Sequence, residues 1–180
     1  MKACEPPSIS LKENAGLPLC VDVIRRCPAW SEAVDDARLA EAANAAYALS
    51  PIPQDDAEVS LLLADDAEIH RLNASWRGRD SATNVLSFPL DQPPAGDETR
   101  HLGDIVLAFE TVSREAMDKN IPLAQHAAHL VVHGLLHLLG YDHEITKDAE
   151  DMEHLEVKIL ARLGLPDPYS EEAMESGEVT

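Results

Sequence analysis

One α+β domain is the fold the sequence predicts, on three observations. Short apolar runs at 58–63, 84–88 and 102–109, bounded by turn residues, read as strands. Apolar stripes at helical spacing within 123–139 and 148–163 read as helices. No internal repeat or linker separates them, and 180 residues suit a single domain with a continuous core. The composition is 45% hydrophobic but only 4% aromatic, so the core must be aliphatic and alanine-rich.

Taken in order, residues 1–16 hold Pro6, Pro7 and Gly16 without periodicity and are expected to form a loose arm. The domain is expected to span 17–169 and an acidic tail 170–180. Leu17–Ile24 alternates as a first strand. Ser31 is placed to cap one helix running to Leu49, with Pro51 and Pro53 ending it. After the strand at 58–63, Asp65 and Asp66 cap a short helix carrying Ile69 and Leu72. A basic loop, Trp76-Arg77-Gly78-Arg79-Asp80, leads to the strand 84–88, which Pro89 stops. Residues 91–100 read as a loop, 102–109 as a strand and 111–119 as a helix. The helix after Pro122 runs to Leu139, where Gly140 suits a left-handed terminator. The last helix runs from about Asp148 to Leu163, closed by Gly164 and Pro166.

With 33 acidic and 14 basic residues, the chain carries a formal charge of −19. That opposes broad binding to polyanions, so a nucleic-acid substrate would require local positive charge or a metal. No apolar run reaches membrane-spanning length, and the N-terminal residues resemble neither a signal nor a transit peptide, so a soluble cytoplasmic protein is expected. Cys4, Cys20 and Cys27 fit no paired zinc spacing and are expected to be reduced, partly buried thiols.

The chemistry concentrates in His133-Gly-Leu-Leu-His137-Leu-Leu-Gly-Tyr-Asp-His143. Four residues apart on a helix, His133 and His137 share one face, and Gly140 lets His143 swing back toward them. Three imidazoles leave one vertex of a zinc tetrahedron open, the arrangement of a catalytic rather than a structural site. A lone pair at this spacing would more often be packing; the glycine and the third histidine shift the balance to metal. Nickel, copper and iron also suit imidazoles. His129 reads as a neighbour hydrogen-bonded near the site, His126 as structural, and His154 as incidental. Zinc proteases carry His-Glu-x-x-His with the Glu as general base. Gly134 stands at that position here, which disfavours peptidase chemistry. Arg77 is placed to hold a phosphate bidentately, whereas its alternative is a solvated turn. Asp104 reads as orienting a histidine, meeting a partner or capping.

These segments together resemble the YbeY family of single-strand-specific endoribonucleases, also called rRNA maturation factors. The likeness spans Val21 to Tyr169 and rests on Leu72–Asp80 with Thr83–Pro89, Leu102–Ile105, His133–His143 and Leu163–Tyr169. It implies a zincin-like α+β fold with a small mixed sheet flanked by helices. It also implies a zinc-dependent hydrolase of single-stranded RNA, acting in small-subunit rRNA 3′-end maturation and ribosome quality control. Carried over by position, zinc falls on His133, His137 and His143, and the catalytic, substrate-binding arginine on Arg77. Arg79, a second substrate contact, stands where the family often has Lys. Asp104 matches an acidic position that meets a small-subunit ribosomal protein, and an Era-type GTPase is a further implied partner. Two other functions compete: a non-catalytic ribosome assembly factor with a fold-stabilising zinc, and a zinc hydrolase of small molecules.

Overall fold

In the computed structural model, residues 19–51, 56–90, 99–141 and 146–170 are described, with the side chains of 146–148 excepted. The arm at 1–16 and the tail beyond Ser170 lie outside them. Among the described residues four strands form one mixed sheet: β1 (Leu19–Arg25), β2 (Ala57–Ala64), β3 (Val85–Pro89) and β4 (Arg100–Ala108), in the order β1-β2-β4-β3. β1 pairs in parallel with β2, and β2 with β4, while β3 runs antiparallel along β4 as an edge strand. Pro89 closes β3, a place where a missing N–H is tolerated.

Among the described residues six helices surround the sheet: α1 (Trp30–Ala33), α2 (Asp36–Leu49), α3 (Asp66–Arg77), α4 (Phe109–Asp118), α5 (Leu123–Leu138) and α6 (Thr146–Arg162). The main core lies between the sheet and α2, α5 and α6, filled by aliphatic and alanine side chains such as Leu39, Ala43, Leu61, Leu107, Val131, Leu135 and Ile159. A smaller cluster of Ala64, Ile69, Leu86, Val106 and Ala108 seals α3 onto the opposite face. No helix among the described residues is long and apolar enough to cross a membrane.

Several expectations need correction. The helix expected from Ser31 to Leu49 is two helices, because Val34 is extended and Asp35 is the cap, accepting from the Ala37 N–H at 3.1 Å. Trp30 anchors the short first piece by burying its ring and donating to the Ala64 carbonyl at 2.9 Å. Asp65 alone caps α3, through the Glu68 N–H. Asp66 instead accepts from the backbone N–H and hydroxyl of Thr111, tying α3 to α4. Trp76 and Arg77 form the last turn of α3 rather than a loop, and Gly78, at φ 64°, ends it. Arg100 already belongs to β4. Cys20 is exposed, since it faces away from the main core, and Cys27 is half-buried.

Gly103 and Gly134 mark the closest approaches. A Cβ on Gly134 would meet Ile105 Cγ2 at 2.9 Å and Ser87 Oγ at 3.0 Å, so α5 rests directly on β3 and β4 at that point. Gly103 has φ 135°, and a Cβ there would lie 2.2 Å from the Phe88 carbonyl oxygen. Gly103→Ala is therefore expected to cost about 3 kcal/mol, lowering the melting temperature by about 6–12 °C. Gly78→Ala meets open space and bears only the left-handed backbone term of about 1–2 kcal/mol. Thermal unfolding of the two variants checks both values; equal shifts would contradict this account of Gly103.

Candidate functional site

α5 brings His126, His129, His133 and His137 along one broad side, as their spacing requires. The neighbours sort them. His126 is 1% exposed and donates from Nε2 to Glu115 at 2.7 Å. Burial raises the Glu115 carboxyl, but the bonds from His126 and Asn84 outweigh that and leave it below the ordinary value. His126 is thus a strut between α5 and α4.

Around His133 and His137 the geometry is different. His133 Nδ1 lies 2.6 Å from Glu156 Oε1, and His137 Nδ1 lies 3.0 Å from the Tyr141 carbonyl. Both acceptors lack a proton to give, so each Nδ1 is the protonated nitrogen and each Nε2 carries the lone pair. The two Nε2 atoms face each other at 3.0 Å. Two imidazoles on one tetrahedral zinc, with bonds of 2.0–2.1 Å, set their nitrogens about 3.3 Å apart. A few tenths of an ångström therefore separate this pair from the spacing of metal ligands, and both Nδ1 bonds are the outer-shell kind that fixes a ligating tautomer. The pair fits a divalent ion. Among the described residues no group of three His, Cys, Asp or Glu side chains is placed to hold a metal ion. The third expected ligand, His143, falls outside the described residues.

Glu156 organises this side of α5. It is fully buried on α6, and its other oxygen accepts from His129 Nε2 at 3.4 Å and from the Tyr169 hydroxyl. Burial alone would raise its carboxyl, but the hydrogen bonds from His129, His133 and Tyr169 outweigh it and bring the carboxyl down to about 2. The same contact, with burial, drives the Tyr169 phenol well above its usual value, so that it stays a donor. His129 is hence where the sequence reading put it, beside the site through a hydrogen bond. His154 is exposed on α6.

Glu156 and Tyr169 carry no role in the sequence reading. The signal for Glu156 was present: it lies four residues after Met152 and three before Ile159, a carboxylate inside the apolar stripe of an otherwise acidic helix.

Arg77 is exposed at the end of α3, and one Nη donates to the Ser87 carbonyl at 3.3 Å. The Ser87 hydroxyl in turn donates to the Gly134 carbonyl at 3.1 Å, so β3 links the arginine to the residue after His133. Gly134 faces the sheet, which leaves no room there for a general base. Arg79 is also exposed. Among the described residues Asp104 makes no hydrogen bond to a histidine. Ser87 points at α5, so its neighbour Phe88, and Asp104 paired with it, point to the opposite face of the sheet. Asp104 is exposed there.

Comparison with known proteins gives consistent matches. The family model described as Endoribonuclease YbeY matches residues 29–164. The endoribonuclease YbeY of Rhodopseudomonas palustris (strain BisA53) is 48% identical over 160 residues, covering 87% of this chain and 93% of that one. That of Nitrobacter hamburgensis is 50% identical over 153 residues, covering 82% and 80%. A solution structure of a protein from Thermotoga maritima shares the fold, with a TM-score of 0.52, 24% identity, and coverage of 84% and 97%.

A carboxyl held at about 2, against an ordinary 4.5, stabilises the fold fully above the ordinary value and loses that contribution as pH falls through the lower one. Wild type is thus expected to lose stability between about pH 5 and pH 2 more steeply than Glu156→Gln, in urea unfolding across that window. Parallel curves would contradict the assignment.

Proposed function

The chain belongs to the endoribonuclease YbeY family, and we propose that it is a metal-dependent endoribonuclease cutting single-stranded RNA in small-subunit rRNA 3′-end maturation and ribosome quality control. The observation that carries the reading is the facing Nε2 pair of His133 and His137, with both tautomers set from behind by Glu156 and the Tyr141 carbonyl. These two, with His143, are the residues to hold zinc. A bound zinc supplies Lewis acidity that polarises a phosphate oxygen and makes water more acidic.

The chain's own groups do the rest. Arg77 spends one N–H on the Ser87 carbonyl, which aims the guanidinium along the edge of β3. Its remaining donors hold a phosphate and offset the charge that builds on it during cleavage. Arg79 adds a second contact to the RNA backbone. Two local cations matter in a chain of net −19, because they give a polyanion one place to approach. The attacking group is water or the ribose 2′-hydroxyl. The first leaves a linear phosphate and the second a cyclic one.

On the opposite face, exposed Asp104 is the position for a small-subunit ribosomal protein, and an Era-type GTPase is a further partner. The cytoplasm is the corresponding location. The −19 charge favours one competing function, a non-catalytic assembly factor targeted by protein contacts. Cleavage of purified RNA separates the two.

Metal-loaded protein is expected to cut a single-stranded RNA and to leave a duplex of the same sequence intact, with chelator abolishing the cut. His137→Ala should lose at least a hundredfold in rate, and Arg77→Ala about the same. Arg77→Lys should recover only part, since it keeps charge without the fork. Gel mapping of product ends measures all three. Full cleavage by His137→Ala would overturn the mechanism, and metal-loaded protein that never cuts would favour the assembly factor.

A further inference from the structure

The hydroxyl of Tyr169 meets the fully buried carboxylate of Glu156, although Tyr169 itself is 42% exposed. We infer that Tyr169 is a positioning residue of the metal site: it holds Glu156 in the orientation that aims His133, and so helps to set how tightly the site binds zinc. The inference rests on the metal-dependent reading above.

The chain beyond α6 is built to bring that hydroxyl back. Gly164, at φ 70°, turns the backbone, and the Leu165 N–H donates to the Leu160 carbonyl at 2.9 Å. Leu165 packs against the main core. Pro166 and Pro168 restrict the chain on either side of Asp167. The Asp167 carboxylate then accepts the Tyr169 N–H at 2.8 Å, which fixes where the phenol starts.

Packing does not require the bond to Glu156. A tyrosine this exposed can give its hydroxyl to water at little cost. An aliphatic side chain would also fill position 156 of the apolar stripe without burying a charge. What the carboxylate needs is a fixed orientation. The last torsion of a glutamate is broad, so hydrogen bonds decide where its two oxygens lie. Oε1 accepts from His133 Nδ1 at 2.6 Å. Oε2 is held by Tyr169 and by His129, whose 3.4 Å contact is long for a hydrogen bond. Tyr169 is therefore the firmer hold on Oε2. With it in place, Oε1 stays on Nδ1 and the His133 Nε2 lone pair stays turned toward His137. Without it, the carboxylate can rotate toward His129, and the His133 ring gains a freedom that zinc binding must remove. Partners behind a ligating histidine change metal affinity by about 10–100-fold. Tyr169 acts one bond further back, which places its effect near the lower figure.

The test is a zinc titration of the full chain against a competing chelator, paired with nitrogen NMR of the metal-free imidazoles at a pH where they are neutral. Tyr169→Phe keeps the ring, and with it the edge contact to His129, and removes only the hydroxyl. It should weaken zinc about tenfold. Wild-type His133 should show a protonated Nδ1 and a bare Nε2, and Tyr169→Phe a mixture of the two tautomers, a change that a loss of stability alone does not produce. Asp167→Ala keeps the hydroxyl but frees the turn. It should weaken zinc by a smaller factor, about threefold, and add nothing in the Tyr169→Phe background; this variant keeps the test decisive if Tyr169→Phe fails to fold. Equal zinc affinity in wild type and both variants would overturn the positioning role and leave the nuclease reading standing. Weaker zinc with an unchanged His133 tautomer would also overturn it, since Tyr169 would then serve the fold alone. A wild-type chain that binds no zinc would overturn the metal reading itself, and this inference with it.

Discussion

A single buried carboxylate fixes the arrangement on which the site depends. Glu156 has no contact with solvent and reaches from α6 to two histidines of α5 and to Tyr169. Removing such a group from water is expensive, and it stays ionised only because several donors converge on it. The consequence runs outward. With a carboxylate behind it, His133 must present Nε2 forward, and the Tyr141 carbonyl compels the same of His137. Helix packing, ring tautomer and metal-ready nitrogens are one linked outcome.

The sheet contributes the second constraint. α5 lies close on β3 and β4 because position 134 has no side chain, and this closeness lets Ser87 hydrogen-bond the helix backbone. The same strand residue receives Arg77 from the end of α3. A glycine that removes the customary protease base therefore also brings the arginine-bearing edge against the histidine helix. Packing and chemistry are set by the same atom count.

What could be read in the sequence follows the range of the forces involved. The strands at 58–63 and 102–109 and the helix after Pro122 were legible because their periodicity is local. His133 and His137 were legible because four residues on a helix fix two side chains to one face. Ser31 misled, since two good caps stand four residues apart and only the burial of Trp30 decides where the chain breaks. The face that Asp104 takes was not legible, because strand alternation has no anchor until the Ser87 hydroxyl meets α5. Glu156 was hidden among the acids of α6, its partners lying 23 and 27 residues away in sequence.

The claim under all of this is that His133 and His137 share one metal ion through Nε2. Crystals of the zinc-loaded full chain, measured across the zinc absorption edge, address it most directly. A single strong anomalous peak within bonding distance of both Nε2 atoms, with Glu156 still on His133 Nδ1, is the result expected. A zinc peak elsewhere, or His133 bound through Nδ1 with Glu156 turned away, would contradict the account.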